Sequence, residues 1–178
     1  MPTRYSGNPA EVRALNAHIK LMRAAGTLKT LLERWVNAAG LTESQFGVLE
    51  TLLFLGPLSP TALSEKRLSS GANITTVLDN LEKRELVRRE PSENDRRCSR
   101  VQLSPEGRRL ISRIFPAHAG EIRELYSVLT PGEQETLGAL ARKLGLGNAG
   151  RTAGERVKLK REPAPVRTRR ATQAAGRK

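Results

Sequence analysis

Between residues 10 and 39, Val12, Leu15, Ile19, Met22, Leu28, Leu31, Leu32, Trp35 and Val36 recur mostly three or four positions apart, with Arg13, Lys20, Arg23, Lys29 and Arg34 between them. That spacing predicts one long amphipathic helix. Gly40 ends it, and Thr42-Glu43-Ser44-Gln45 has the form of a capping box, in which hydroxyl and amide satisfy free backbone amides at the next helix start. The second helix presents Phe46, Leu49, Leu52 and Leu53 and stops at Gly56-Pro57. Ser59-Pro60 then opens a short helix to about Arg67, and Ser69-Ser70-Gly71 breaks the chain again.

The next helix, from about Ala72 to Arg84, carries Ile74, Val77, Leu78 and Leu81 on one face and Asn73, Thr75, Thr76, Asp79, Asn80 and Lys83 on the other. Plain solvation favours Glu and Lys, which are better helix formers than Asn and Thr. Short amides and hydroxyls suit hydrogen bonding to base edges and contact with thymine methyls, so Asn73, Thr75, Thr76 and Asn80 are candidate major-groove residues. An ordinary solvated face is the competing reading of this helix taken by itself. Two strand-like runs follow, Leu86–Glu90 and Arg100–Leu103, joined by a charged loop that begins at Pro91. A helix-turn-helix followed by such a hairpin predicts a winged helix, mainly α with a small β-hairpin wing. Ser59, Lys66, Ser70 and Arg88 are its candidate phosphate contacts.

Ser104-Pro105-Glu106 opens a helix with Leu110, Ile111, Ile114, Phe115, Ile122, Leu125 and Tyr126, and Pro116 in its middle predicts a kink. Thr130-Pro131-Gly132-Glu133 is a second capping box, leading into a last helix striped by Leu137, Leu140, Leu144 and Leu146. A winged helix is complete without the first and last helices, so their apolar faces need another partner. A two-fold homodimer through these helices supplies it and sets two recognition helices on one side, for half-sites about 34 to 36 Å apart on double-stranded DNA.

Charge changes the picture at the C-terminus. The chain of 178 residues carries a formal net charge of +13. Residues 151–178 hold ten Lys/Arg against two acids, no aromatic residue and few large aliphatics. Such a segment predicts disorder, and it reads either as a solubilising tail or as an arm that follows phosphates without reading bases. No run approaches the roughly 20 apolar residues of a spanning helix, and the first twenty residues lack the apolar centre of a secretory signal. A cytoplasmic, nucleoid-associated protein without membrane contact is expected. One cysteine, Cys98, and two histidines provide neither a disulfide nor a dense metal-ligand set, and no cofactor is expected. Phosphate-loop, nucleophile-elbow and metal-spacing motifs are missing, which argues against an enzyme.

The segment Leu41 to Leu110 resembles the winged-helix transcriptional regulators of the multiple-antibiotic-resistance regulator (MarR) family. The likeness rests on Leu41-Thr42-Glu43-Ser44-Gln45-Phe46, on Asn73 to Lys83 followed by Leu86-Val87, and on Asn94-Asp95-Arg96-Arg97 before Val101-Gln102-Leu103-Ser104-Pro105-Glu106-Gly107. It implies a wing in which Asp95 buttresses Arg97, beside Arg96, for entry into the minor groove, where a narrow groove concentrates negative potential. It also implies a repressor released by a small, often aromatic, effector or by thiol oxidation. His18, Met22, Trp35, Phe46 and His118 are candidate liners of the effector crevice, and each also reads as plain core or surface. Cys98 stands next to Arg97 and near Arg96, cations that favour a thiolate. Thiol-sensing relatives keep their cysteine near the first helix, which here has none.

The expected division is 1–40 and 104–147 for dimerisation, 41–103 for DNA binding and 148–178 for the basic tail. The runner-up reading is an architectural protein that coats DNA through the tail's charge, without sequence preference.

Overall fold

A computed structural model of the chain describes residues 3–66, 71–91 and 99–148, the side chains of residues 71 and 72 excepted. Its elements run in the order α1 (Pro9–Ala38), α2 (Glu43–Leu55), α3 (Pro60–Lys66), α4 (Gly71–Lys83), β1 (Val87–Pro91), β2 (Ser99–Leu103), α5 (Pro105–Tyr126) and α6 (Pro131–Leu146). The described residues form two compact units, one within residues 27–128 and one of residues 3–26 with 129–148.

Within residues 27–128 the helix ends follow from local chemistry. Gly40 has φ 78°, its N–H donates to the Asn37 carbonyl at 2.9 Å, and the Leu41 N–H donates to the Val36 carbonyl at 3.2 Å. This is a Schellman closure, and the buried pair Val36 and Leu41 seals it. The capping box at α2 forms as the sequence predicts: Thr42 Oγ1 accepts from the Gln45 N–H, and Gln45 Oε1 accepts from the Thr42 N–H at 3.0 Å. The same closure ends α4 with a glutamate, Glu85 at φ 57°, in the left-handed position, and the Leu86 N–H reaches the Leu81 carbonyl at 2.9 Å. A non-glycine residue there costs about 1–2 kcal/mol; the burial of Leu81 and Leu86 offsets it.

One core closes this unit. Phe46, Val48, Leu49 and Leu52 of α2, Leu63 of α3, Ile74, Val77, Leu78 and Leu81 of α4, Val101 and Leu103 of β2 and Ile111 of α5 are all buried in it. The antiparallel hairpin sets Val87 opposite Leu103 and Arg89 opposite Val101. A third edge, unforeseen from the sequence, joins the hairpin: Leu58 forms a bridge with Val101, with hydrogen bonds of 3.0 and 2.8 Å. Ser104 clamps the far end. Its Oγ donates to the Glu85 carbonyl at 2.6 Å and accepts from the Gly107 N–H at 2.9 Å. A Cβ at Gly107 would overlap the Leu86 carbonyl, so the backbone approach there requires glycine. Helix α5 continues through Pro116.

In the other unit, α6 starts from the predicted capping box, the Glu133 carboxylate accepting from the Thr130 N–H at 2.8 Å. That bond holds the Glu133 carboxyl below its usual pKa. None of the described residues of α6 is buried.

Candidate nucleic-acid interface and effector cavity

The apolar stripe of α4 seats one face in the core, and the geometry of the helix then turns Asn73, Thr75, Thr76, Asn80 and Lys83 outward, where all are exposed. These include the four residues proposed for base contact. Asp79, grouped with them by helical spacing, behaves differently: it is half-buried and bound by Arg89, whose Nη2 lies 2.5 Å from Asp79 Oδ1 and whose Nη1 lies 3.0 Å from Glu82 Oε2. Strand alternation puts Arg89 on the hairpin face that also carries buried Val87, so the wing's first strand is tied to α4 by one guanidinium. Sequence reasoning missed this tie. Its trace was the Asp79/Glu82 pair, three apart on one helix face, with an arginine shortly after.

The other hairpin face carries Arg88, Glu90, Arg100 and Gln102. Arg88 is exposed and paired with Glu90 at 3.0 Å, and Arg100 Nη2 donates to the Pro57 carbonyl at 2.8 Å. Among the other phosphate candidates, Ser59 is half-buried and accepts from the Ala62 N–H at 3.2 Å, so it caps α3, while Lys66 is exposed in the last turn of α3. Ser70, Asp95, Arg96, Arg97 and Cys98 lie outside the described residues.

A cavity of about 150 Å³ opens within residues 27–128. Leu32, Val36, Phe46 and His118 form its apolar wall, and Lys29, Glu33, Glu43 and Glu50 also line it. His118 is 7% exposed, and its ring lies 4.4 Å from that of Phe46 and 5.0 Å from that of Trp35, centre to centre. Its buried Nδ1 has no hydrogen-bond partner among the described residues. Burial lowers the His118 pKa from 6.5, outweighing the opposing pull of Glu50 and Glu121, so the ring is neutral near neutral pH. Three of the five suggested crevice residues therefore gather here: Phe46 and His118 line the cavity, and Trp35 packs on both rings, 6.2 Å from Phe46. His18 and Met22 do not belong to it. Both are exposed on the first part of α1, outside the lining set.

The helix-turn-helix and hairpin recur in known proteins. The MarR family model matches residues 41–99. The HTH-type transcriptional regulator MhqR of Bacillus subtilis strain 168 is 34% identical over 134 residues, covering 75% of this chain and 92% of that protein. The chain belongs to the MarR family of transcriptional regulators. These are regulators and not enzymes. Among solved structures, the MarR-family regulator Sco3205 of Streptomyces coelicolor, in complex with DNA, is 27% identical with a TM-score of 0.71 over 80% of this chain and 90% of that one. BpsR of Bordetella bronchiseptica, whose DNA binding is regulated by 6-hydroxynicotinic acid, is 27% identical with a TM-score of 0.65, covering 72% and 98%. No described helix of this MarR-family chain is long and apolar enough to cross a membrane.

Proposed function

We propose that this MarR-family chain is a homodimeric repressor that occupies an inverted-repeat operator and leaves it when a small aromatic effector binds. The observation that carries the reading is the division of α4, with Ile74, Val77, Leu78 and Leu81 in the core and Asn73, Thr75, Thr76 and Asn80 exposed. A helix so anchored presents its amides and hydroxyls as a rigid unit, which base readout needs. The dimer is supported by Leu15, Leu21 and Met22 on α1 and Leu137, Leu140 and Leu144 on α6, apolar residues left exposed in the single chain. Arg97, held by Asp95, serves the minor groove. The effector site is the cavity at Phe46 and His118.

Titration of the full chain against a duplex selected from a random pool and against random duplex, at two salt concentrations, tests the reading. The expected selected site binds at least about a thousandfold tighter. Equal affinities with a steep salt slope would leave only charge-driven coating of DNA. Leu140→Glu with Leu144→Glu is expected to give a folded monomer by light scattering, with operator affinity reduced at least a hundredfold; an intact dimer would overturn the assigned interface.

A further inference from the structure

The cavity at His118 has the dimensions and charge to say which aromatic compound it admits. About 150 Å³ is the size of void that holds a single benzene ring, and Leu32, Val36 and Phe46 supply the apolar part of its wall. Phe46 offers a ring against which an aromatic guest can pack, and the His118 ring lies beside it. Size and ring contact alone admit any one-ring aromatic compound.

The charged part of the lining narrows it. Glu33, Glu43 and Glu50 face a single cation, Lys29, which lies 3.6 Å from Glu33 and 3.4 Å from Glu43. With His118 neutral, the lining carries a net charge of −2, and its one ammonium is already shared between two carboxylates. A guest carboxylate would meet repulsion from Glu50 and would have to compete for Lys29. A guest ammonium would be attracted, and could also lie against an aromatic face. Among the described residues no group of three or more His, Cys, Asp or Glu side chains is arranged to hold a metal ion, so an organic cation suits these acids better than an inorganic one.

We propose that the effector of this chain is a one-ring aromatic amine, its ring against Phe46 and His118 and its ammonium at the Glu33, Glu43 and Glu50 rim, and that the cavity rejects aromatic carboxylates of the kind that regulates BpsR. The inference rests on the reading of this cavity as the effector site. Its ligand would then differ from the 6-hydroxynicotinic acid that regulates BpsR in the sign of its charge.

The test uses three probes of one shape, 4-hydroxybenzylamine, 4-methylphenol and 4-hydroxybenzoate, titrated calorimetrically into the full chain. Fluorescence of Trp35, the chain's one tryptophan, follows binding beside the cavity. Two net negative charges across roughly 6 Å of a water-like medium predict that the amine binds about tenfold tighter than the neutral phenol and about a hundredfold tighter than the acid. The preference is expected to shrink in molar salt. Glu50→Gln should lessen the ranking and Glu50→Lys, which leaves the lining without net charge, should abolish it; if the latter fails to fold, Glu33→Gln, at a half-exposed position, serves instead. Should the acid bind as tightly as the amine and release DNA, the charge inference fails and the effector reading stands. Binding of none of the three overturns both, and an unchanged ranking in Glu50→Gln and Glu33→Gln overturns the assignment of the rim.

Discussion

Helices α4 and α6 carry nearly the same apolar spacing and meet opposite fates. In α4, Ile74, Val77, Leu78 and Leu81 are between 0% and 8% exposed; in α6, Leu137, Leu140 and Leu144 are between 38% and 61% exposed. Periodicity states that a face wants a partner, and does not name the partner. The α4 stripe finds one in its own chain because α2, α3 and β1 fold around it locally. The α6 stripe has no such neighbours among the buried residues, and a second copy is the partner proposed for it.

The sharpest way to break that comparison is to truncate one leucine on each helix. Leu78→Ala is expected to cost about 2–5 kcal/mol of unfolding free energy at every protein concentration, because it opens a cavity in a closed core. Leu140→Ala should cost stability only in proportion to dimer formed, so its effect on the melting midpoint fades on dilution. Equal, concentration-independent losses would mean that α6 is buried within its own chain.

On the DNA side the division lies between side chains that touch nucleic acid and those that hold others in position. Arg97→Ala is expected to weaken operator binding by about 1–3 kcal/mol, and Asp95→Ala to reproduce part of that loss despite raising the net charge. Arg88→Ala should cost less, since Arg88 lies on the strand and pairs with Glu90. Tighter binding by Asp95→Ala in a fixed-salt titration would make bulk charge, not a positioned arginine, the determinant of the wing.

Arg89→Gln probes the holding residues. Its two ion pairs are partly exposed, so the expected loss of affinity stays under about 1 kcal/mol. The slope of log affinity against log salt should not change, whereas loss of a phosphate contact would lower it by about one. A changed slope would move Arg89 from the scaffold to the interface.

The smallest effect expected is a pH dependence confined to the closed unit. His118 has a folded pKa below 6.5, so between the two values the unfolded chain holds the extra proton. Its contribution to stability is fully present above about pH 6.5 and is lost as pH falls through that window. Chemical unfolding of the parent and of His118→Phe across pH 5 to 8 is expected to give a flatter profile for the variant. Identical slopes would mean that the ring is solvated in the native protein.

Much of this molecule follows from the order of residues alone, and the reason is that the deciding interactions are short-range. Capping boxes at Thr42 and Thr130, the Gly40 stop, the apolar stripes and the hairpin all involve partners within a few positions, so their signals stand side by side in the chain. The outward set Asn73, Thr75, Thr76 and Asn80 was legible for the same reason. What only the tertiary structure decided depends on residues far apart. The pairing of Leu58 with Val101, the backbone approach that requires glycine at position 107, and the withdrawal of Asp79 from the polar face by Arg89 each need a three-dimensional neighbour that no periodicity encodes. The cavity is the extreme case. Residues from α1, α2 and α5 converge on His118 across more than sixty positions of sequence, and burial, which removes water from its Nδ1, is a property of the assembled packing and not of any segment.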